Sequence, residues 1–185
     1  MHLSTPILSR QYYKNYCDSS WFLHFTCYVL SRIYSGKKME YASKKVLITG
    51  AAKRIGAVLA TELALDGWHV VIHCNNNRES ADILCDKLQG NGATAEVLQA
   101  DLSDPEACQQ LIQDASQGQQ LQALINNASL FVFDQITDFS AQTLQSHMAV
   151  NVTAPALLTA EFAKQLGKHD TGCVINILDS KLFGL

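Results

Sequence analysis

The sequence predicts an α/β fold with a doubly wound parallel sheet, and three observations carry that prediction. From Lys44 onward, short runs of Val, Ile and Leu alternate with segments whose apolar residues recur at helical spacing, the mark of successive βαβ units. Glycines and helix-capping residues stand at the joints between these segments. The chain of 185 residues, 48% hydrophobic and 17% charged, has the composition of one folded domain and not that of a disordered or collagen-like protein.

Each element can be justified in order. Val46-Leu-Ile-Thr49 reads as the first strand. Ile55, Val58, Leu59 and Leu63 repeat at helical spacing up to Gly67, where a glycine suits the C′ position because it adopts positive φ without strain. Trp68 to His73 is the second strand, Ser80 to Leu88 a helix, and Ala95 to Gln99 the third strand. Asp104-Pro105-Glu106 opens the next helix, with Asp as cap and Pro in the first turn. Leu121 to Asn126 is the fourth strand, one long helical region runs from about Gln142 to Leu166, and Cys173 to Leu178 is the fifth strand.

Charge divides the chain. Residues 1–38 hold five bases against Asp18, a charge of +4, while the rest holds nine bases against sixteen acids, or −7. All six tyrosines lie at or before Tyr41. Residues 1–38 therefore read as an extension, unstructured or brought in by a wrong start, and residues 39–185 as the domain. The uncharged stretch between Asp18 and Arg32 is 13 residues, short of the roughly 20 that cross a bilayer. The overall charge of −3 argues against a nucleic-acid partner. The six cysteines form no C-x-x-C pair, which points to reduced thiols in a cytoplasmic protein and to neither zinc nor a disulfide framework.

In such a sheet ligands bind beyond the carboxyl ends of the strands. The segment Thr49-Gly50-Ala-Ala-Lys53-Arg54-Ile55-Gly56 joins the first strand to its helix, and free N–H groups at that helix start suit a pyrophosphate. It reads either as a dinucleotide site or as an ordinary βα turn. The second strand ends in His73-Cys-Asn-Asn-Asn-Arg78 without an acid to bind a ribose 2′-hydroxyl. Arg and amides suit the 2′-phosphate of NADP; the other reading is a solvated basic loop.

T-G-x5-G after the first strand, Asn126-Asn127-Ala128-Ser129 after the fourth and Asn151-Val-Thr-Ala-Pro155 in the long helix resemble the short-chain dehydrogenase/reductase family. Arg54 and Ser129, where the family usually has glycine, resemble its pteridine reductase branch. The resemblance implies a Rossmann-type doubly wound parallel sheet in the order 3-2-1-4-5, truncated here after the fifth strand. It implies NADP as cofactor, held by Thr49, Gly50, Arg54, Ile55, Gly56, His73, Arg78, Asp101, Leu102, Asn127, Ala128 and Ser129. Arg54, Ser129, Phe131 and Asp179 would hold a pterin, with Phe131 stacking on it and Asp179 helping to relay a proton. Asn151 would organise a water in the proton path. Plain alternatives stand beside these: Asp101 and Asp179 as turn carboxylates, Phe131 as a core residue, and Asn151 as a structural hydrogen bonder.

The family's proton donor is the Tyr of a Tyr-x-x-x-Lys motif placed after the fifth strand, and no tyrosine follows Tyr41 here. Three readings follow: an incomplete NADPH-dependent reductase, inactive as it stands; a non-catalytic nucleotide-binding or regulatory module; or a decayed gene product. Family members usually dimerise through two long helices, so a homo-oligomeric parent is expected, with a small molecule as substrate and no nucleic acid or membrane as partner.

Overall fold

The computed structural model describes residues 44–133, 135–168 and 170–178. The extension over residues 1–38 and the candidate Asp179 lie outside the described residues. Five parallel strands make one sheet: β1 (Lys45–Ile48), β2 (His69–Cys74), β3 (Ala95–Gln99), β4 (Ala123–Asn126) and β5 (Cys173–Asn176). Their order is β3-β2-β1-β4-β5, as the resemblance implied.

Between the strands run α1 (Arg54–Leu65), α2 (Arg78–Gly90), α3 (Pro105–Ala115), α4 (Ala141–Met148) and α5 (Ala154–Gln165). Alternation along the strands sends side chains to opposite faces and builds two cores. Val46, Ile48, Val70 and Ile72 pack with Leu59, Leu63, Leu84 and Leu88 of α1 and α2. Leu47, Val71 and Leu124 pack with Leu111, Ile112, Leu158 and Phe162 of α3 and α5. Because both faces are covered, the central strands are continuous apolar runs.

The helix ends follow from their residues. Gly67 takes φ +81 after α1, while Gly67 N–H donates to Ala64 O and Trp68 N–H to Leu63 O, both at 3.0 Å. That is a Schellman closure, with Trp68 and Leu63 in the same core. Asp104 caps α3 by accepting from Glu106 N–H at 3.0 Å. Ser140 caps α4 through Thr143 N–H at 3.1 Å.

Two readings need correction. The single long helix is broken by a π-helical turn over Ala149–Thr153 that separates α4 from α5. Pro155 has no N–H to give the Asn151 carbonyl, and a widened turn accommodates the missing bond. β1 also begins one residue early, at Lys45, which is only 1% exposed. Its ammonium meets Glu96 of β3 at 2.9 Å and donates to Gln117 O at 3.2 Å, so a buried charge is paired.

Candidate functional site

The strands' carboxyl ends gather most of the predicted site residues, and the first finding is how many of them serve the backbone. Thr49 is 1% exposed. Its Oγ1 accepts from Asn127 N–H and Ala128 N–H, both at 3.0 Å, and donates to Ile125 O at 3.4 Å. Asn127 returns the tie through Nδ2, which donates to Thr49 O at 2.9 Å and Gly50 O at 3.2 Å. The two loops leaving β1 and β4 are thereby stitched into one unit.

Glycines allow that closeness. Gly50 has φ +63, and a Cβ there would lie 2.9 Å from Ala128 Cα. A Cβ on Gly56 would lie 2.6 Å from Gly50 O and 2.7 Å from Ala51 Cα. Neither position admits a side chain without moving backbone.

His73 sits beneath the turn, 1% exposed. Its Nδ1 accepts from Gly50 N–H at 3.1 Å, so the hydrogen is on Nε2, which donates to Ala100 O at 3.1 Å. Burial pushes its pKa below the ordinary imidazole value, favouring this neutral form. The buried ring braces the glycine turn through both its nitrogens. Leu102 is likewise packed inward, 5% exposed in the second core. Asp101 is exposed, but its carboxylate accepts from Ser103 N–H at 2.9 Å and Ser103 Oγ at 2.8 Å. Those hydrogen bonds hold its pKa below the usual carboxylate range.

What faces outward is a small set. The head of α1 has no side-chain cap, whereas Asp104 and Ser140 cap α3 and α4, and no acid stands in the first turn of α1. Its first N–H groups and positive dipole end suit an anion. Arg54 opens that helix, exposed and at φ 54, the one non-glycine residue with positive φ among the described residues. Ile55 is half-buried against the first core.

Lys53, part of the motif but not singled out from the sequence, donates through Nζ to Asn77 Oδ1 at 3.0 Å. It brings a second cation to the loop after β2. The signal was its place beside Arg54; the 24-residue separation from Asn77 hid the contact. Arg78 itself is engaged by Asp82, whose carboxylate accepts from Nε at 2.8 and 3.0 Å.

In the loop after β4 Ser129 is exposed and Phe131 is 81% exposed, packed in neither core among the described residues. Asn151 lies in the π turn. Its Oδ1 accepts from Leu130 N–H at 2.7 Å and its Nδ2 donates to Leu130 O at 2.8 Å. Asn126 closes β4, and its Nδ2 donates to Asn176 Oδ1 at 2.9 Å across to β5.

Residues 44–180 match the family described as short chain dehydrogenase. The chain belongs to the short chain dehydrogenase family. Among its relatives is an uncharacterized oxidoreductase, YmfI of Bacillus subtilis, 32% identical over 73% of this chain and 55% of that protein. The crystal structure of the FolM alternative dihydrofolate reductase 1 of Brucella canis, complexed with NADP, superposes with a TM-score of 0.71. It is 33% identical over 76% of this chain and 57% of that one. A short chain dehydrogenase of Burkholderia cenocepacia J2315 in complex with NADP gives a TM-score of 0.68 at 29% identity, covering 72% and 54% of the two chains. This short chain dehydrogenase thus shares its fold with oxidoreductases and spans about half the length of the curated relatives it matches. Among the described residues no helix is long and apolar enough to cross a membrane, and no group of His, Cys, Asp and Glu could hold a metal ion.

Proposed function

We propose that this chain carries the nucleotide-binding part of an NADPH-dependent reductase whose substrate is a flat, pterin-like heterocycle. The observation that carries the reading is Arg54. An exposed arginine in the left-handed region, where glycine would sit without strain, costs the fold about 1–2 kcal/mol. Such strain concentrates at functional sites. On this reading the strain is kept because it lets an exposed arginine stand at the head of α1, beside the glycine turn.

The residues present fit NADP. The first N–H groups of α1 would take the pyrophosphate, with Gly50 and Gly56 keeping the turn tight. Lys53, Asn77 and Arg78 line the loop where a 2′-phosphate would lie, and no acid stands at the end of β2. Bound there, the cofactor would supply a hydride. The chain's own residues would orient the acceptor: Phe131 offers a ring face, Ser129 a hydroxyl and Arg54 a planar donor fork. Asp179, beyond β5, would help to move the proton. The similarity to the FolM alternative dihydrofolate reductase 1 supports a pterin-like acceptor.

No tyrosine follows Tyr41, so none stands after β5 to donate a proton, and we expect nucleotide binding without turnover from these 185 residues. General acid catalysis worth about 10²–10⁴ in rate would be missing. Calorimetric titration tests the core of the proposal. NADPH should bind at least about tenfold tighter than NADH, about 1.4 kcal/mol, and Arg54→Ala should weaken it. Equal affinities, or tighter NADH, would sink it. Turnover of a dihydropterin with NADPH by this chain would refute the inactivity.

A further inference from the structure

The loop leaving β4 carries Phe131, Val132 and Phe133, between 48% and 81% exposed. Burial contributes little to holding such a segment, yet its backbone is tied to the helical run behind it. Asn151 of the π turn closes both its amide bonds on Leu130. Two residues further along, Val132 N–H donates to His147 Nε2 at 3.0 Å. His147 and Asn151 are four apart, so the two anchors rise from one side of the run. Phe131 hangs between them.

The anchors differ in chemistry. An amide donates and accepts at every pH, whereas an imidazole nitrogen accepts only while it carries no proton. We propose that His147 is a positioning residue: with Asn151 it latches the Leu130–Phe133 loop, and the latch opens when Nε2 is protonated, because a protonated ring has no lone pair for Val132 N–H. The inference rests on the proposed reductase reading only in taking Phe131 as the substrate-facing ring.

The surroundings leave the imidazole to act alone. α4 carries no other titratable side chain, and the π turn carries none. In α5, Glu161 and Lys164 pair with each other at 2.6 Å. In the loop, Asp138 accepts from Gln135 N–H at 2.6 Å, and Asp134 lies outside the described residues. Protonation would thus free one end of the segment bearing Phe131 while Asn151 keeps the other. The aromatic wall would be ordered while the ring is neutral and loosened once the ring is charged.

Nuclear magnetic resonance on the ¹⁵N-labelled 185-residue chain tests this without any activity assay. Ring nitrogen shifts should show Nε2 unprotonated and Nδ1 bearing the hydrogen when His147 is neutral. As the ring takes up its proton in the same titration, protection of the Val132 amide should fall at least about threefold while that of Leu130 holds. His147→Gln, whose carbonyl accepts at every pH, should keep Val132 protected throughout. His147→Ala should lose that protection throughout, with Leu47 in β1 reporting that the fold is intact. Val132 protection indifferent to the charge of the ring, or a hydrogen on Nε2 of the neutral ring, would overturn the proposal. Failure to bind NADPH would count against the reductase reading and leave these readouts standing.

Discussion

Replacing Thr49 by valine separates a structural role from a ligand-binding one. The side chain is 1% exposed and its hydroxyl accepts two backbone N–H groups, from Asn127 and Ala128. Valine is close to threonine in volume, so the packing survives and the two donors lose their acceptor. A buried donor left unsatisfied costs about 1–3 kcal/mol. Asn127 and Ala128 are partly exposed, which puts the pair near the low end, about 2–4 kcal/mol together. For a domain of this size each kcal/mol moves Tm by about 3 °C, so the melt should fall by about 6–12 °C. Thr49→Ser keeps the hydroxyl, drops one methyl and should cost about 1 kcal/mol. Differential scanning calorimetry of both variants without nucleotide is the assay. A Thr49→Val melt within about 2 °C of the parent, or no lower than that of Thr49→Ser, would refute the clamp and return Thr49 to the ligand.

Three further outcomes are expected. Gly56→Ala would press a methyl to within 2.6 Å of Gly50 O and 2.7 Å of Ala51 Cα. It should cost about 1–3 kcal/mol and abolish NADPH binding, read by melting and calorimetric titration. Arg54→Gly relieves the left-handed strain and should raise stability by about 1 kcal/mol while weakening NADPH about tenfold or more; a loss of stability would show that no strain is stored there. His69 and His73 both have pKa values lowered chiefly by burial, in His69 with Lys45 adding to the effect. The unfolded chain therefore binds more protons just below the ordinary imidazole value of about 6.5, and stability should be full above that pH and fall below it until the folded-state values are passed. His73→Asn, whose carbonyl can still accept from Gly50 N–H, should flatten part of that slope in denaturant titrations at pH 7.5 and 5.5.

The fold was legible because its signals are local. Gly67 announced its own positive φ, Asp104-Pro105 its cap, and the apolar runs their burial on two faces. The helix break at Ala149–Thr153 was hidden because Pro155 also suits the start of α5, and only the backbone ladder shows the widened turn, with Ala154 N–H donating to Ala149 O. Lys45 stands outside the apolar run Val46-Leu-Ile-Thr49 by which the sequence marks the first strand. Its partner Glu96 lies 51 positions away on a strand that is not its neighbour in sequence. The same limit applies at the site. Motif spacing located the loops, but which side chains turn inward depends on partners such as Ile125, Ala100 and Leu130, distant in sequence and visible only once the sheet is built.

That division of labour constrains where specificity can reside. Thr49, Asn127, His73 and Asn151 spend their hydrogen-bonding groups on backbone and would do so with any nucleotide or substrate. They make the cleft rigid without choosing what enters it. On the proposed reading, choice would fall to the exposed groups: Lys53 and Arg54 at the head of α1, and Ser129 and Phe131 in the loop after β4. Substitution in the first set should therefore appear as lost stability with ligand preference unchanged. Substitution in the second should alter the ratio of NADPH to NADH affinity, or the choice of heterocycle, with little change in the melt of the free protein apart from the strain released at Arg54. A double-mutant cycle between Thr49→Val and Lys53→Ala measures the separation directly: coupling in NADPH affinity near zero follows from two independent jobs, and coupling beyond about 0.5 kcal/mol would show that the frame and the cations act as one unit.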